Sequence, residues 1–298
     1  MEAKKIELKR TMLQRLKKIN IVDKINFLWQ SKSAFFGALI VLLVVFCAIF
    51  APFISTHDPF EMNMNNGLLK PGEKNHILGT DQYGRDLLTR LIYGARISLK
   101  VGIFSVFISM SIGVTLGLIA GYYGGVIDSI IMRIVDIFLS FPVILLAIAL
   151  VASLGPGIDS VIIALGLVYW TNYARVVRAN VLSIKEEEYI QAAKTIGSSD
   201  FRIIFLNILP NSLAPIIVIA TLGLGVAIVS EATLSFLGLG IQPPEASWGW
   251  TLAFGMKYIR ESFYLSLFPG IAIMITVLGF NLLGDGIRDL TDTKLKRR

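Results

Sequence analysis

Long apolar runs without a charged side chain alternate with short polar segments along this sequence. The first run, residues 34–54, contains no Asp, Glu, Lys or Arg. A helix needs about 20 mostly apolar residues to cross the hydrocarbon core of a bilayer, and most of the runs reach that length. The pattern therefore predicts an all-α polytopic membrane protein with six transmembrane helices. We place these spans near residues 34–54, 97–121, 128–151, 158–178, 212–235 and 267–287.

The overall composition agrees with this prediction. Of 298 residues, 54% are hydrophobic and 16% are charged, whereas soluble domains carry about 25% charged residues. A secretory signal is the alternative for the first run, but the apolar region of a signal has about 7–15 residues and this run is longer. We therefore expect an uncleaved first helix. The single cysteine, Cys47, lies within it, so no disulfide can form within the chain.

Basic residues are distributed unevenly among the segments that connect the spans. If the N-terminus is cytoplasmic, 20 of the 28 lysines and arginines fall on the cytoplasmic side, in agreement with the positive-inside rule. Both termini are then expected in the cytoplasm. The net charge of +7 is explained by juxtamembrane residues facing anionic lipid and does not indicate nucleic acid. The predicted layout is a basic cytoplasmic segment at 1–33, the first span at 34–54, an outer loop at 55–94, a core with five spans at 95–290, and a cytoplasmic tail at 291–298.

Three glycines in the second span, Gly113, Gly117 and Gly121, are spaced four residues apart. This spacing places them on one helix face, where small residues let a second helix approach closely in lipid. Packing within the chain and contact with another chain are the two explanations. In the second outer segment, at about 236–266, the pair Trp248 and Trp250 is expected at the lipid–water boundary, where tryptophan is enriched.

A polar segment at 186–211, called the docking segment below, interrupts the apolar pattern between the fourth and fifth spans. Its first half, Glu186–Ile196, predicts a short helix with acidic residues in the first turn, where they interact favourably with the helix dipole. A Gly-Ser-Ser sequence that starts at Gly197 should end this helix.

The second half of the docking segment predicts another helix, capped by Ser199 or Asp200 and ended by Pro210. Its apolar stripe is expected to consist of Phe201, Ile204, Phe205 and Ile208. Two short helices around a sharp turn have the geometry of a docking element, although an ordinary helical loop would show the same periodicity.

The docking segment resembles the EAA loop of binding-protein-dependent ABC transporter permeases. In that loop, Glu-Ala-Ala is followed by a glycine and then by Leu-Pro. This chain has Ala192-Ala193, Gly197 and Leu209-Pro210, but Gln191 stands at the first position. Because Gln is uncharged, an ion pair made at that position in the family is not expected here, and a nearby glutamate is the candidate replacement.

Four further stretches, at 76–99, 121–142, 231–249 and 280–289, resemble the peptide/nickel importer permeases, and within them the C-type subunit of dipeptide and oligopeptide systems. The resemblance implies a type I ABC importer permease of the bacterial inner membrane. Two homologous permeases would share the pathway, two cytoplasmic P-loop ATPase subunits would bind their EAA helices, and an external binding protein would deliver the substrate. The coupling residues implied are Glu187, Glu188, Tyr189, Gln191, Ala192, Ala193, Gly197, Phe201 and Pro210.

Polar residues inside predicted spans are candidates for the pathway, because they are costly in lipid. Asp136 can pair with Arg133 along its own helix or contribute to a polar pathway. Glu231, late in the fifth span, can face the pathway or bond to the outer loop. Asn172 lies in the polar inner half of the fourth span. We take Asp136, Asn172 and Glu231 as candidate pathway residues.

Two histidines, His57 and His76, lie in the outer loop. They are nineteen residues apart and isolated, without a clustered carboxylate or thiol, so no metal site is expected. The chain also has no G-x-x-x-x-G-K-[ST] phosphate loop and no catalytic triad, HExxH or paired-cysteine motif. We therefore expect a permease that is not an enzyme and holds no cofactor, with ATP and magnesium on the partner ATPases.

The expected function is import of short peptides, with a nickel or metal-chelate importer of the same family as the alternative. An ion-gradient-driven secondary transporter is a rival from another class. It would favour ionisable residues clustered at mid-bilayer, whereas Glu231 and Asp285 both lie late in their spans. A membrane-embedded hydrolase would need a nucleophile–base pair, which the sequence does not offer.

Overall fold

A computed structural model of the chain describes residues 31–291. The predicted segment at 1–33 and the tail at 291–298 lie almost entirely outside these residues. The described part is helical, and its one extended pairing is an isolated bridge between Thr80 and Asp86. Its α-helices are α1 (Lys32–Ile49), α2 (Ala51–Ile54), α3 (Leu87–Tyr123), α4 (Gly125–Leu139), α5 (Val143–Leu154), α6 (Ile158–Lys185), α7 (Glu188–Thr195), α8 (Asp200–Ile203), α9 (Leu209–Phe236), α10 (Trp248–Lys257) and α11 (Tyr264–Thr291).

Within residues 31–291, five helices are long and apolar enough to cross a membrane: α1, α3, α6, the continuous stretch Asp200–Phe236, and α11. The remaining predicted span, the third along the chain, is formed by α4 and α5, which meet at an angle of 87°. The break between them contains Pro142, which has no N–H group and disfavours the helical conformation of the residue before it. The prediction of six spans is therefore confirmed when the bent pair is counted as one.

Helix α3 begins ten residues before its predicted start at 97. Its first residue is Leu87, and the side chain of Asp86 caps it by accepting a hydrogen bond from the backbone N–H of Thr89 at 2.8 Å. Arg90 and Arg96 lie in the first turns. A prediction based on uncharged runs therefore does not include this part of the helix. The predicted outer loop at 55–94 therefore ends at Asp86.

The glycine stripe of α3 packs against α6 of the same chain. A Cβ atom added to Gly113 would lie 2.4 Å from the carbonyl oxygen of Trp170, and one added to Gly121 would lie 2.7 Å from Cβ of Val181. Real Cβ atoms do not approach other atoms this closely, so only glycine allows the contact. Of the two explanations for the stripe, packing within the chain is the one that the structure supports.

Replacing Gly117 with alanine should destabilise this contact. The added Cβ would lie 2.7 Å from the carbonyl oxygen of Ala174 and 2.8 Å from Cβ of Val177, and overpacking of this kind costs about 1–3 kcal/mol. We expect Gly117→Ala to lower the thermal unfolding temperature of the purified protein in detergent.

Gly102→Ala on the same helix is the matched control. There the nearest atom to the new Cβ, Cγ1 of Ile228, is 3.5 Å away, which is an ordinary van der Waals distance. Equal unfolding temperatures for the two variants would contradict the proposed role of the stripe.

Candidate functional site

The docking segment forms a short first helix and a turn, as predicted, and the second helix that follows is longer than predicted. Helix α7 starts at Glu188, two residues later than expected, and ends at Thr195. Gly197 has φ +77°, a left-handed conformation that favours glycine. Ser199 occupies the cap position before α8, but its side chain makes no capping hydrogen bond.

One face of the docking segment is buried against the ends of two spans. The predicted orientation places these ends at the cytoplasmic surface, and "inner" and "outer" are used below in the sense of that prediction. Ile190 of α7 and Ile203 of α8 are fully buried, and they belong to one apolar cluster with residues of α3 and α6. Ala193 packs partly against the same cluster. Of the predicted stripe, Ile204 and Ile208 are buried, whereas the second helix leaves Phe201 and Phe205 exposed.

A π-helical turn explains this shift of the stripe. Residues Ile204–Ile208 form the wider turn, which moves the buried face by about one residue. It also changes the predicted role of Pro210, which does not end the helix. Pro210 has no N–H to bond to Leu206, and the π turn instead closes with a bond from the N–H of Leu209 to the carbonyl of Ile204. The helix therefore continues from Asp200 to Phe236.

Side-chain hydrogen bonds fix the docking segment to its neighbours. The hydroxyl of Tyr122, at the inner end of α3, donates to Asp200 at 2.6 Å. The amide of Asn211 donates to the hydroxyl of Tyr189 at 3.2 Å. The side-chain N–H of Gln191 donates to the carbonyl of Lys185, at the end of α6, at 2.9 Å. A glutamate could not donate this bond, so Gln191 has a structural role of its own.

The opposite face of the docking segment is exposed. Ile196 is 82% exposed and Phe201 is 71% exposed. The other exposed residues of the segment include Glu187, Glu188, Gln191, Ala192 and Gly197. The segment therefore presents exposed apolar and acidic side chains that are available for contact with another protein.

The candidate pathway residues Asp136 and Asn172 lie on exposed surfaces of the chain. Asp136 pairs with Arg175 of α6 at 2.9 Å, and not with Arg133, and both partners are more than half exposed. Asn172 lines a cavity of about 180 Å³ between α3, α6 and α9. Near the inner end of α6, Arg178 makes a two-pronged ion pair with Asp128 of α4, so charged pairs hold the bent span against α6.

The candidate pathway residue Glu231 is fully buried in the described chain, and its role in the pathway stays a prediction. Its carboxylate accepts hydrogen bonds from the hydroxyls of Ser98 at 3.2 Å, Ser235 at 2.8 Å and Ser247 at 2.9 Å. Ser247 is also the cap of α10. Glu231 therefore joins α3, α9 and the second outer segment.

A buried arginine, Arg90, is a structural residue that sequence reasoning missed. Its guanidinium donates to the carbonyls of Pro59 at 3.0 Å, Pro244 at 3.4 Å and Glu245 at 3.1 Å. We call this set of contacts the outer clamp. The motif around it was visible in the sequence, but its partners are up to 155 residues away.

Trp248 lies beside the outer clamp and is almost completely buried, so its predicted place at the lipid–water boundary is wrong. Its indole N–H donates to the carbonyl of Leu91 at 2.8 Å, and its ring fills the space left by the missing side chain of Gly94. Helix α10, which it begins, was not predicted.

The two histidines are not isolated, so the premise for expecting no metal site is wrong. Their rings stack with centroids 4.5 Å apart. Nδ1 of His76 lies 2.9 Å from Oδ1 of Asp86, and Nδ1 of His57 lies 3.8 Å from the same oxygen. We call these three residues the His–Asp triad.

Comparison with known proteins identifies relatives over most of the chain. The family described as binding-protein-dependent transport system inner membrane component matches residues 113–297, and the N-terminal transmembrane domain of oligopeptide transport permease C matches residues 26–71. The dipeptide transport system permease protein DppC of Alkalihalophilus pseudofirmus is 51% identical, covering 90% of this chain and 88% of that protein.

Two further relatives and one solved structure are similar to this chain. The di/tripeptide transport system permease protein DppC of Pseudomonas aeruginosa is 45% identical over 90% of this chain and 91% of its own length. The glutathione transport system permease protein GsiD of Pectobacterium atrosepticum is 44% identical over 91% and 90%. A chain of the MetNI methionine ABC transporter, in an inward-facing conformation, matches with a TM-score of 0.56 and 21% identity over 68% of this chain and 97% of that chain, which shows the fold.

Substitution of Glu231 separates a structural role from a pathway role. In Glu231→Gln the amide can still bond to the three serine hydroxyls, because a hydroxyl both donates and accepts, so stability and substrate uptake should stay near the wild-type level. In Glu231→Ala, a cavity and unpaired buried hydroxyls should lower the free energy of unfolding by about 2 kcal/mol or more. Thermal unfolding and vesicle uptake measure both effects. Loss of uptake in a Glu231→Gln variant of normal stability would place Glu231 on the pathway.

Proposed function

The chain belongs to the family of binding-protein-dependent transport system inner membrane components, and on this premise we propose that it moves short peptides into the cytoplasm through a pathway shared with a second permease. It is a multi-pass membrane component of a type I ABC importer. The peptide substrate is supported by its relatives at 44–51% identity, which are named for transport of dipeptides, di/tripeptides and glutathione.

The exposed face of the docking segment is the observation that supports binding of an ATPase to this chain. The apolar side chains of Ile196 and Phe201 are left uncovered, while the other face of the segment is packed against α3 and α6. Such an arrangement holds the segment firmly and still presents a contact surface. We assign this surface to a cytoplasmic P-loop ATPase, with ATP and magnesium bound there and not on this chain.

Movement of the ATPase would reach the membrane through one continuous helix. Because the π turn at Ile204–Ile208 bridges the proline, a displacement of Asp200 is transmitted along the stretch to Phe236. The hydrogen bond between Tyr122 and Asp200 would pass part of the same displacement to α3. Closure of the ATPases would thus reposition two spans that line the cavity beside Asn172.

The second permease is proposed to cover the open side of this cavity. Asn172 and the pair Asp136–Arg175 are exposed in the isolated chain, and a homologous subunit placed there would complete a polar route between the two chains. In this orientation the docking segment and both termini lie in the cytoplasm. The outer loop and the second outer segment then face the external binding protein.

Purification of the tagged chain from native membranes in mild detergent tests this function. Mass spectrometry should recover a second multi-pass permease and P-loop ATPase subunits. An external binding protein found with them can then be titrated with di- and tripeptides and with nickel. Recovery of the chain alone, even after crosslinking, would contradict the ATP-driven importer, and a binding protein that takes nickel but no peptide would contradict the peptide substrate.

Gly197→Pro should abolish coupling to ATP hydrolysis while leaving membrane insertion intact. Proline fixes φ near −65°, whereas Gly197 has φ +77° and donates its N–H to Lys194. The variant should therefore lose peptide-stimulated ATP hydrolysis in reconstituted vesicles.

Gly238→Pro, in the second outer segment, is a closely matched control. Gly238 has φ +78°, and its backbone N–H donates to the carbonyl of Ser235. A Cβ atom added to Gly197 or to Gly238 would have no other atom within 4 Å. The backbone strain is therefore similar at the two positions. If both variants kept the ATPases bound and coupled, the docking segment would have no special role.

A large side chain at the alanine pair distinguishes the two faces of α7. Ala192 is exposed and Ala193 packs against the chain's own apolar cluster. We expect Ala192→Trp to block ATPase binding without changing the unfolding temperature, and Ala193→Trp to lower both ATPase binding and stability. Copurification of the ATPase with each variant, together with thermal unfolding, measures this. Normal ATPase binding by Ala192→Trp would remove the exposed face from the interface.

A further inference from the structure

The His–Asp triad joins three segments of the outer loop that are distant in sequence. His57 follows α2, His76 ends the short 3-10 turn Glu73–Asn75, and Asp86 caps α3. His76 and Asp86 are buried, while the side chain of His57 is 28% exposed. An ion bound between these side chains would therefore contact the protein interior on one side and be accessible to solvent on the other.

The potential ligand atoms converge on a small volume. One nitrogen from each histidine and one carboxylate oxygen all lie within 4.8 Å of one another. Oδ2 of Asp86 is engaged by the backbone N–H of Thr89, which fixes the orientation of the carboxylate and leaves Oδ1 directed at both rings. Zinc–ligand bonds of about 2.0–2.1 Å place tetrahedral ligands about 3.3 Å apart. The observed separations from Oδ1, 2.9 Å and 3.8 Å, lie on either side of that value.

A polar cavity of about 240 Å³ adjoins the triad and offers further oxygen ligands. Its lining includes the side chains of Asp58, Glu61 and Asn63. Lys74 also lines it, but its ammonium donates to Asn66 at 2.7 Å. The nearby arginines do not compete for Asp86, because Arg85 and Arg90 lie against Asp81, at 2.6 Å and 3.7 Å.

We propose that the His–Asp triad binds a divalent first-row transition metal ion, for which Zn²⁺ is the natural probe. Two imidazoles and one carboxylate form a donor set that suits zinc, nickel and copper, whereas magnesium and calcium prefer oxygen ligands alone. A water molecule or a carboxylate from the cavity would complete the coordination. The ion would fasten the segment after α2 and the residue after the 3-10 turn to the start of α3. This inference is independent of the transported substrate.

The test is a zinc titration of the purified complex in competition with a chromophoric chelator. The affinity tag must contain no histidine, because a histidine tag would itself bind Zn²⁺. The two histidines of the chain are then the only ones that this chain contributes. We expect one Zn²⁺ per chain, no competition from Mg²⁺, and a visible absorption band from tetrahedral coordination when Co²⁺ is used. Zn²⁺ should also raise the unfolding temperature, because it binds the folded state.

His57→Ala is the principal variant, because His57 is partly exposed and its hydrogen bond is to the neighbouring Thr56. The variant also loses the stacking contact with His76, so the unfolding temperature of the metal-free variant serves as its own reference. Its zinc affinity should fall about tenfold or more, and the cobalt band should disappear. Asp86→Asn keeps an oxygen for the Thr89 cap but removes the charge, and it should also weaken binding. Glu261→Gln, an exposed outer carboxylate, is the control and should bind as the wild type does.

Two results would overturn the proposal. One is zinc affinity that is unchanged in His57→Ala, which would place any bound ion elsewhere. The other is the absence of zinc binding by a wild-type complex with a normal unfolding temperature. The triad would then be a hydrogen-bonded anchor in which His76 donates to Asp86.

Discussion

The backbone-to-backbone contact between α3 and α6 is the constraint on which the other features depend. Three glycines permit it, and any larger side chain would separate the two helices. Helix α3 carries Asp86 and Arg90 at its outer end and Tyr122 at its inner end. The same helix therefore positions both the outer clamp and the docking segment, and its contact with α6 anchors it in the chain.

Side chains at the outer and inner ends of the spans differ in how deeply they are buried. At the outer end, Arg90 and Glu231 are buried, and each bonds to several partners. Toward the inner end, the pair Asp136–Arg175 is more than half exposed and Phe201 is uncovered. Because a buried charge without a partner is costly, breaking these contacts at the outer end would cost more free energy than breaking the exposed pair at the inner end.

The spans and the docking segment could be predicted from the sequence because they depend on neighbours three or four residues apart. The outer end could not. The start of α3 was missed because a charged residue such as Arg90 is not expected within a transmembrane helix. The guanidinium of Arg90 is accommodated there by backbone carbonyls, one of them that of Glu245. Glu231 bonds to Ser98, 133 residues earlier, and His57 meets His76 only through the fold of the loop. A pattern of local periodicity contains no information about such partners.

The 87° bend between α4 and α5 has a consequence for the lipid around the protein. Helix α5 has 12 residues, so it is about 18 Å long, whereas the hydrocarbon core is about 30 Å thick. If α5 runs along the membrane normal, α4 lies nearly parallel to the bilayer surface and adds little depth. The hydrophobic mismatch at this place must then be relieved by local thinning of the bilayer or by another protein surface that replaces lipid beside α5.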